Sequence, residues 1–172
     1  GRIAFQIDAG LPQTVHYRNR SLTHNPKIAL EKHTKEQLLA ALPNLTSAAE
    51  SKKATLPNLP ELFAAAIHGS PNVDIAVPNG PYTLQLLLYE GWRSRSADIV
   101  IEGKTVRKAY DMFKEQGGNF DHGSVLRHTF TLTDGNIDIE INGPLHLGGL
   151  ILSKGKIFIS GSISILISIS TS

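Results

Sequence analysis

Apolar and polar residues alternate with a period of two along much of the chain, the pattern of β-strands that bury one face. The alternation is clear on both sides of the tetrapeptide Pro78-Asn79-Gly80-Pro81, which is typical of a tight turn. Before the turn the apolar positions are Val73, Ile75 and Val77, and after it they are Tyr82, Leu84, Leu86 and Leu88. This stretch therefore predicts a β-hairpin from Asn72 to Glu90.

Two more hairpins are predicted further along the chain. Ile99 and Ile101 begin a strand that turns at Gly103-Lys104 into residues 105–110. The dipeptide Asp134-Gly135 separates two alternating runs, residues 126–132 and 136–142, and marks the tip of the third hairpin.

The remaining apolar runs predict single strands and loops. Arg2 to Asp8 reads as a first strand, and His146 to Leu152 as a late one. Ile157 to Ile169 places Ile and Ser in near alternation and predicts one or two final strands that must pair to avoid a free edge. The polar stretch His16 to Arg20 is predicted to be a surface loop.

Helical signals are few. Thr34 to Leu42 predicts a short helix, capped by Thr34 and ended by Pro43. Asn44 to Pro60 has little apolar periodicity, so we expect a mobile insertion at about residues 31–60 that contains this helix. Leu62 to Ile67 then returns to the core, and Asp111 to Gln116 predicts a helical turn.

Many short strands without βαβ alternation predict an all-β fold. The expected architecture is an antiparallel β-sandwich, jelly-roll-like in type, with one short helix in the inserted loop. A chain of 172 residues with 41% hydrophobic content can bury one substantial core, so residues 1–172 are predicted to form a single domain.

Charge and composition exclude several classes of function. The formal charge of +2 is too small to indicate nucleic-acid binding. Cysteine is absent, which removes disulfides, thiolate metal sites and cysteine nucleophiles. No cofactor motif occurs, and no apolar run reaches the roughly 18 residues of a membrane span. No signal-like segment precedes Ile3, so the chain is expected to be either intracellular or, as we favour, a fragment of an exported protein.

Catalytic motifs are weak. The candidate carboxylates are Asp8, Glu90, Asp111 and Asp121, but a glycosidase needs two at a fixed separation, which the sequence does not give. His128 falls on the apolar side of its predicted strand and is expected to be a hydrogen-bonded core residue, not a ligand of a metal.

The segment after the first predicted hairpin has a composition suited to binding. Tyr89, Trp92, Arg93 and Arg95 lie together, and the only Trp stands beside guanidinium groups. An indole can stack on a sugar ring while a guanidinium bonds hydroxyls or carboxylates. The alternative is that Trp92 folds back and caps the end of the sandwich.

The order of several motifs resembles the malectin-like carbohydrate-binding domains. They are Phe5 to Gly10, Val77 to Leu84, Glu90, Asp98 to Lys104, Tyr110 to Phe113, and Val125 to Ile141 with Thr133-Asp134-Gly135. The resemblance covers about half of the chain and leaves residues 11–67 and the Ile/Ser tail unexplained. It implies a sandwich that binds oligosaccharides through aromatic and acidic residues on loops at one end.

Six residues are predicted to bind the ligand, from the composition of this segment and from the resemblance together, namely Trp92, Arg93, His68, Tyr89, Glu90 and Asn142. An aromatic pair of the family falls on Trp92 and Arg93, so a cation replaces one ring. Another aromatic falls near His68, and the family's acidic residue falls near the neutral Asn142. These departures favour a ligand other than the glucose oligomers usual for the family.

Three hypotheses follow for the function. The leading one is a non-catalytic, secreted carbohydrate-binding module with an acidic glycan as favoured ligand and with neighbouring domains in a larger protein. The second is a catalytic domain, hydrolase or lyase, that acts on a polysaccharide with Tyr89, His68 or His122 as acid or base. The third is an adhesion module that uses its sheet edge. No cofactor, metal, nucleic-acid or membrane partner is expected.

Overall fold

A computed structural model describes residues 2–19, 29–32, 70–90, 93–115, 117–118, 122–160 and 163–167. Within these ranges the chain forms twelve β-strands and one helical turn. The elements are β1 (Arg2–Ile7), β2 (Val15–Asn19), β3 (Ala29–Lys32), β4 (Pro71–Ala76), β5 (Gly80–Glu90), β6 (Ser96–Ile101), β7 (Lys104–Asp111), α1 (Met112–Glu115), β8 (His122–Leu132), β9 (Asn136–Asn142), β10 (Leu147–Lys154), β11 (Lys156–Ser160) and β12 (Ile163–Ile167).

Ten of these strands form two five-stranded sheets that pack face to face. Sheet A has the order β3-β1-β10-β5-β8, and sheet B has the order β2-β4-β9-β6-β7. The predicted all-β sandwich is therefore confirmed. Strand β1 pairs in parallel with both β10 and β3, whereas the other pairings of the two sheets are antiparallel.

The core lies between the two sheets and is built from the alternating apolar positions that the sequence singles out. From sheet A it takes Phe5, Ile7, Tyr82, Leu84, Leu86, Leu88, Leu150 and Leu152, and from sheet B it takes Val73, Ile75, Ile99, Ile101, Ile137, Ile139 and Ile141. Each of these side chains is at most 6% exposed, so burial of these residues is the main force that holds the sheets together.

Two of the three predicted hairpins are wrong in their pairing. Strands β4 and β5 lie in different sheets, as do β8 and β9, so both connections cross from one sheet to the other. Of the three predicted hairpins, the structure forms the one between β6 and β7, with its turn at Glu102-Gly103. Alternation fixes where a strand lies and which face it buries, but a short turn can join two strands within one sheet or across a sandwich.

The two crossing connections lie side by side and are held together by Asn79. Its amide donates to the carbonyl of Thr133 (3.2 Å), and its Oδ1 accepts from the N–H of Gly135 (2.7 Å). The N–H of Val77 also donates to the carbonyl of Gly135 (3.2 Å). We call this part of the molecule, residues 77–80 and 133–135, the crossover end.

Replacing Asn79 with alanine is expected to lower the melting temperature by roughly 2–4 °C. The variant loses both side-chain hydrogen bonds, which together contribute about 1 kcal/mol at an exposed position. Asn79→Asp keeps the acceptor for the N–H of Gly135, so its melting temperature should fall by less than that of Asn79→Ala. Thermal unfolding followed by circular dichroism measures both, and equal melting temperatures for the three proteins would contradict the role of Asn79.

The outer face of sheet A is buried as well. Thr83, Gln85 and Leu87 point away from the main core, yet they are 0%, 6% and 1% exposed. Strand β11 lies against β5 and β8, and the hydroxyl of Thr83 donates to the carbonyl of Gly155 (2.9 Å). The Ile/Ser tail contributes the paired strands β11 and β12, which confirms the prediction that it forms strands and pairs.

The other local predictions have mixed outcomes. The first strand, the late strand β10 and the helical turn at 112–115 are confirmed. The predicted loop at His16 to Arg20 is wrong, because Val15 and Tyr17 turn inward and His16 and Arg18 outward along strand β2. The first two residues of the expected insertion belong to β3. The predicted helix at Thr34–Leu42, the loop Asn44–Pro60 and the run Leu62–Ile67 lie outside the described residues.

His128 lies on the core side of β8, opposite Leu84. It is half-buried and its ring stacks on Phe130, with 5.6 Å between centroids and 10° between planes. Burial, together with the charge of Lys104, lowers the pKa of His128. These contacts support the predicted packing role, while the predicted hydrogen bond of His128 stays a prediction.

Candidate functional site

The candidate site lies at the end of the sandwich opposite the crossover end. Strand β5 ends there at Glu90, β6 begins at Ser96, β7 ends at Asp111 and β9 ends at Asn142. Because β6 pairs with both β7 and β9, the start of β6 and the ends of β7 and β9 are neighbours in sheet B, while β5 belongs to sheet A. We call this part, residues 90, 93–96, 108–115, 117–118 and 142–146, the site end.

A buried ion pair anchors the loop between β5 and β6. Glu90 is fully buried, and its Oε1 accepts from Nε of Arg95, whose side chain is 8% exposed. The second oxygen, Oε2, accepts from Nη2 of Arg95 (3.3 Å) and from the N–H of Arg93 (3.5 Å). One carboxylate therefore fixes both the side chain of Arg95 and the backbone of Arg93.

Asp111 holds the same loop from the other side. Its Oδ2 accepts from the hydroxyl of Ser94 (2.9 Å), and its Oδ1 accepts from the N–H of Lys114 (3.2 Å) at the helical turn α1. Residues 93–95 are thus bonded to β5 through Glu90 and to β7 through Asp111. The exposed side chain of Arg93 is carried by a segment with fixed geometry.

A β-bulge shapes the edge strand next to this loop. Between the pairs Ala97–Tyr110 and Ile99–Arg107, two residues of β7 stand opposite Asp98 alone. The N–H of Ala109 donates to Oδ1 of Asp98 (2.7 Å), and Ala109 has φ +51°, a left-handed conformation that costs a non-glycine residue about 1 kcal/mol or more. The hydrogen bond to Asp98 stabilises this strained conformation.

Polar contacts close the sandwich beneath the helical turn. The hydroxyl of Tyr110 donates to Oγ of Ser124 (2.8 Å), so β7 is joined to β8 of the other sheet. Burial raises the pKa of Tyr110 to about 12, and the phenol stays neutral at physiological pH. Arg107 lies over the ring of Tyr110, 4.7 Å from its centroid, and bonds Glu115 of α1 at 2.5 Å.

Asn142 lies at the end of β9, opposite Asp98 of β6, and its side chain is exposed. The next residue, Gly143, has φ +127°, and its N–H donates to Oγ of Ser70 (3.4 Å). A Cβ added at Gly143 would lie 2.9 Å from the carbonyl oxygen of Ser96. The chain after β9 therefore passes very close to the start of β6.

The structure brings Glu90, Arg93 and Asn142 of the predicted site residues to the same end of the molecule. Tyr89 lies in β5, opposite Gly123, and the direction of its side chain is not described. Trp92 and His68 lie outside the described residues. Whether any of the six contacts a ligand stays a prediction.

The candidate carboxylates do not form one group, because Glu90 and Asp111 belong to the site end and Asp8 does not. Asp8 belongs to the crossover end, where its Oδ2 accepts from the N–H of Lys154 (2.8 Å), and Asp121 lies outside the described residues. The sequence does not identify Ser94 and Asp111 as residues that position the loop, or Asp98 as the residue that holds the bulge of β7. Ser94 directly follows Arg93, but Asp111 lies far from this loop in the sequence and gives no such signal.

Two further classes of site are absent from the described part of the chain. No group of three or more His, Asp or Glu side chains there is placed to hold a metal ion. No helix there is long and apolar enough to cross a membrane.

The fold and the site end define a β-sandwich domain whose loops at one end present exposed polar side chains. The sequence matches the family described as Malectin domain over residues 3–160. The chain therefore belongs to the malectin domain family, as the order of its motifs indicates. A comparison with curated proteins found no match.

Solved structures show similar folds over part of the chain. A β-glucuronidase 2 of Bacteroides uniformis is 24% identical with a TM-score of 0.44, covering 47% of this chain and 10% of that one. A family 35 carbohydrate-binding module from an environmental isolate is 14% identical with a TM-score of 0.36, and the match covers 61% of this chain and 74% of that one. The CBM35 module of Cellvibrio japonicus Abf62 is 17% identical with a TM-score of 0.38, and the match covers 53% of this chain and 69% of that one. The aligned region is thus about a tenth of the glucuronidase.

Proposed function

We propose that the chain is a non-catalytic carbohydrate-binding module that holds an acidic oligo- or polysaccharide at the site end. The observation that carries the proposal is the loop at 93–95, which presents the exposed Arg93 and is bonded to β5 through Glu90 and to β7 through Asp111. A binding loop that is ordered before the ligand arrives loses less conformational entropy on binding.

The sequence adds an aromatic residue to this loop. Trp92 directly precedes Arg93, so a stacking surface for a sugar ring and a donor for a carboxylate or sulfate are adjacent in the chain. Asn142, exposed at the neighbouring strand end, can bond a hydroxyl. We propose further that the domain is part of a larger, exported protein.

The internal bonding of the carboxylates favours binding over catalysis. Glu90 is fully buried beneath Arg95, and Asp111 bonds Ser94 and the backbone of Lys114. A general acid or base must reach the proton that it transfers, and a glycosidase needs two such groups across one bond. The alternative, a hydrolase or lyase, would need residues other than these two.

Trp92→Ala and Arg93→Ala are expected to weaken binding in different ways. Stacking and a charge-assisted hydrogen bond each contribute roughly 1–3 kcal/mol, so each variant should lose about five-fold or more in affinity. Trp92→Ala should weaken binding of neutral and uronic-acid oligomers alike, whereas Arg93→Ala should mainly weaken the acidic ones. Calorimetry with both oligomers measures this, with circular dichroism to confirm folding.

Lys154→Ala is the matched control, because it removes one positive charge from the opposite end of the sandwich. Its affinities should equal those of the unmodified chain. If folded Trp92→Ala binds with unchanged affinity, Trp92 caps the sandwich. If Arg93→Ala loses acidic and neutral ligands equally, the proposed preference for acidic glycans is wrong.

A further inference from the structure

Two carboxylates face each other on the outer surface of sheet B. Asp74 of β4 lies directly opposite Asp138 of β9, and both alternate with core residues of their strands, so their side chains point away from the core. Both are half-buried. Because like charges directly opposite each other destabilise a pair of strands, this position lowers the stability of the sheet whenever both groups are ionised.

Two more carboxylates continue this row toward the crossover end. Glu102 lies in the turn between β6 and β7, where its N–H donates to the carbonyl of Asp138 (3.0 Å) and its Oε2 accepts from the N–H of Asp138 (2.6 Å). The carboxyl group of Glu102 also hydrogen-bonds that of Asp134, in the connection between β8 and β9. We call Asp74, Asp138, Glu102 and Asp134 the acidic row.

Charged and titratable groups on the neighbouring strands act on the acidic row with both signs. His16 of β2 lies opposite Asp74. The charge of Arg18 on β2 favours ionisation of Asp138, whereas the charge of Glu140 on β9 opposes it. These groups leave an excess of negative charge on this part of sheet B.

Protons are held more tightly in the acidic row than in an unfolded chain. Burial raises the pKa of Glu102, and the nearby Asp134 and Asp138 raise it further, although the N–H of Asp138 acts in the opposite direction. Burial and then the charge of Asp74 raise the pKa of Asp138. A carboxyl group whose pKa is raised by folding stabilises the fold in acid, and that stability is lost as the pH rises through the folded pKa.

We propose that the acidic row is a pH-dependent link, in which a proton between Glu102 and Asp134 joins the turn after β6 to the crossover end. Two carboxyl groups can hydrogen-bond each other only while one of them carries a proton, so the link weakens when that proton leaves. Asp134 belongs to the connection that Asn79 also holds, and the proton therefore adds a second link there in mild acid. This inference does not rest on the proposed function, because none of the four carboxylates belongs to the site end.

The experiment measures melting temperatures of the unmodified chain and of Glu102→Gln at two pH values. The amide keeps an oxygen for the N–H of Asp138 and supplies a permanent donor to Asp134, so the variant imitates the protonated link. We expect Glu102→Gln to melt roughly 2 °C higher than the unmodified chain at about pH 7.5, and less than about 1 °C higher at about pH 4.5. Asp138→Asn should behave in the same way, because it removes the repulsion with Asp74.

Asp98→Asn is the matched control. Asp98 also lies in sheet B, but its Oδ1 accepts from the N–H of Ala109 (2.7 Å), a bond that an amide oxygen can keep. This variant should not raise the melting temperature at either pH. His128 has the opposite pH dependence, because burial and the charge of Lys104 lower its pKa, but its contribution is common to all the proteins that are compared at one pH.

A second measurement needs no variant. Nuclear magnetic resonance of the side-chain carboxyl carbons of the unmodified chain should show Glu102 and Asp138 releasing their protons at higher pH when folded than when unfolded in urea. Release at the same pH in both states would overturn the proposal, and so would a stability difference between Glu102→Gln and the unmodified chain that does not change with pH.

Discussion

Replacing Glu90 with alanine is expected to lower the free energy of unfolding by about 3–5 kcal/mol. The carboxylate is fully buried and bonds a guanidinium that is itself 8% exposed. Removing one partner leaves the other charge desolvated without compensation, which is among the largest effects of a single substitution. Urea unfolding followed by fluorescence or circular dichroism gives the free energy.

Two further variants separate the ion pair from the rest of the fold. Glu115→Ala breaks the ion pair with Arg107, in which the side chains of Arg107 and Glu115 are 36% and 19% exposed. It should lower the free energy of unfolding by less than about 1 kcal/mol. Glu90→Gln/Arg95→Met removes both charges and should recover much of the stability lost in Glu90→Ala. A Glu90→Ala protein as stable as Glu115→Ala would show that the buried pair does not hold the loop.

Replacing Gly143 with alanine is expected to lower the free energy of unfolding by about 2–4 kcal/mol. Its φ of +127° disfavours any residue with a Cβ, and the added atom would lie 2.9 Å from the carbonyl oxygen of Ser96 and 3.1 Å from Cα of Ala97. Both neighbours are backbone atoms of β6, so the collision can be removed only if β6 or the chain at Gly143 moves.

Gly118→Ala is the matched control for Gly143→Ala. Gly118 also has a positive φ, +78°, but nothing lies within 4 Å of its added Cβ. Gly118→Ala should lower the free energy of unfolding only by the cost of a positive φ for alanine, roughly 1 kcal/mol. The difference between the two free energies of unfolding reports the backbone collision, and equal losses would mean that β9 and β6 are less closely packed than the structure shows.

The sequence predicts the strands well and their partners poorly, for a physical reason. Alternation in Val73, Ile75 and Val77 locates a strand and its buried face, because the side-chain period is a property of the strand alone. Pairing depends on contacts far along the chain. Strand β5 leaves the turn at Asn79-Gly80 to pair with β10 and β8, while β4 pairs with β2 and β9.

The turn residues illustrate the same limit. The tetrapeptide that contains Asn79 predicts a hairpin turn, yet the amide group of Asn79 joins two crossing connections that are more than fifty residues apart. Pro78 and Pro81 fit this arrangement equally well, because a chain that leaves one sheet for another needs no ladder bond at the turn.

The site was predicted in part. A Trp beside cations is visible in the sequence, and so is the end of a strand at Glu90. The function of Glu90 as the buried partner of Arg95 is not visible, because four residues separate them in the sequence and only the folded backbone brings them together. Ser94 and Asp111 are seventeen positions apart, and their bond depends on the pairing of β6 with β7.

The most direct test of the central proposal is a glycan-binding measurement on the unmodified, folded chain. An array of acidic and neutral oligosaccharides, followed by calorimetry on the strongest acidic ligand, should show saturable binding that weakens with salt and with Arg93→Ala. Absence of binding to every carbohydrate on the array, by a protein whose circular dichroism spectrum is that of a folded β-sandwich, would contradict the assignment as a carbohydrate-binding module.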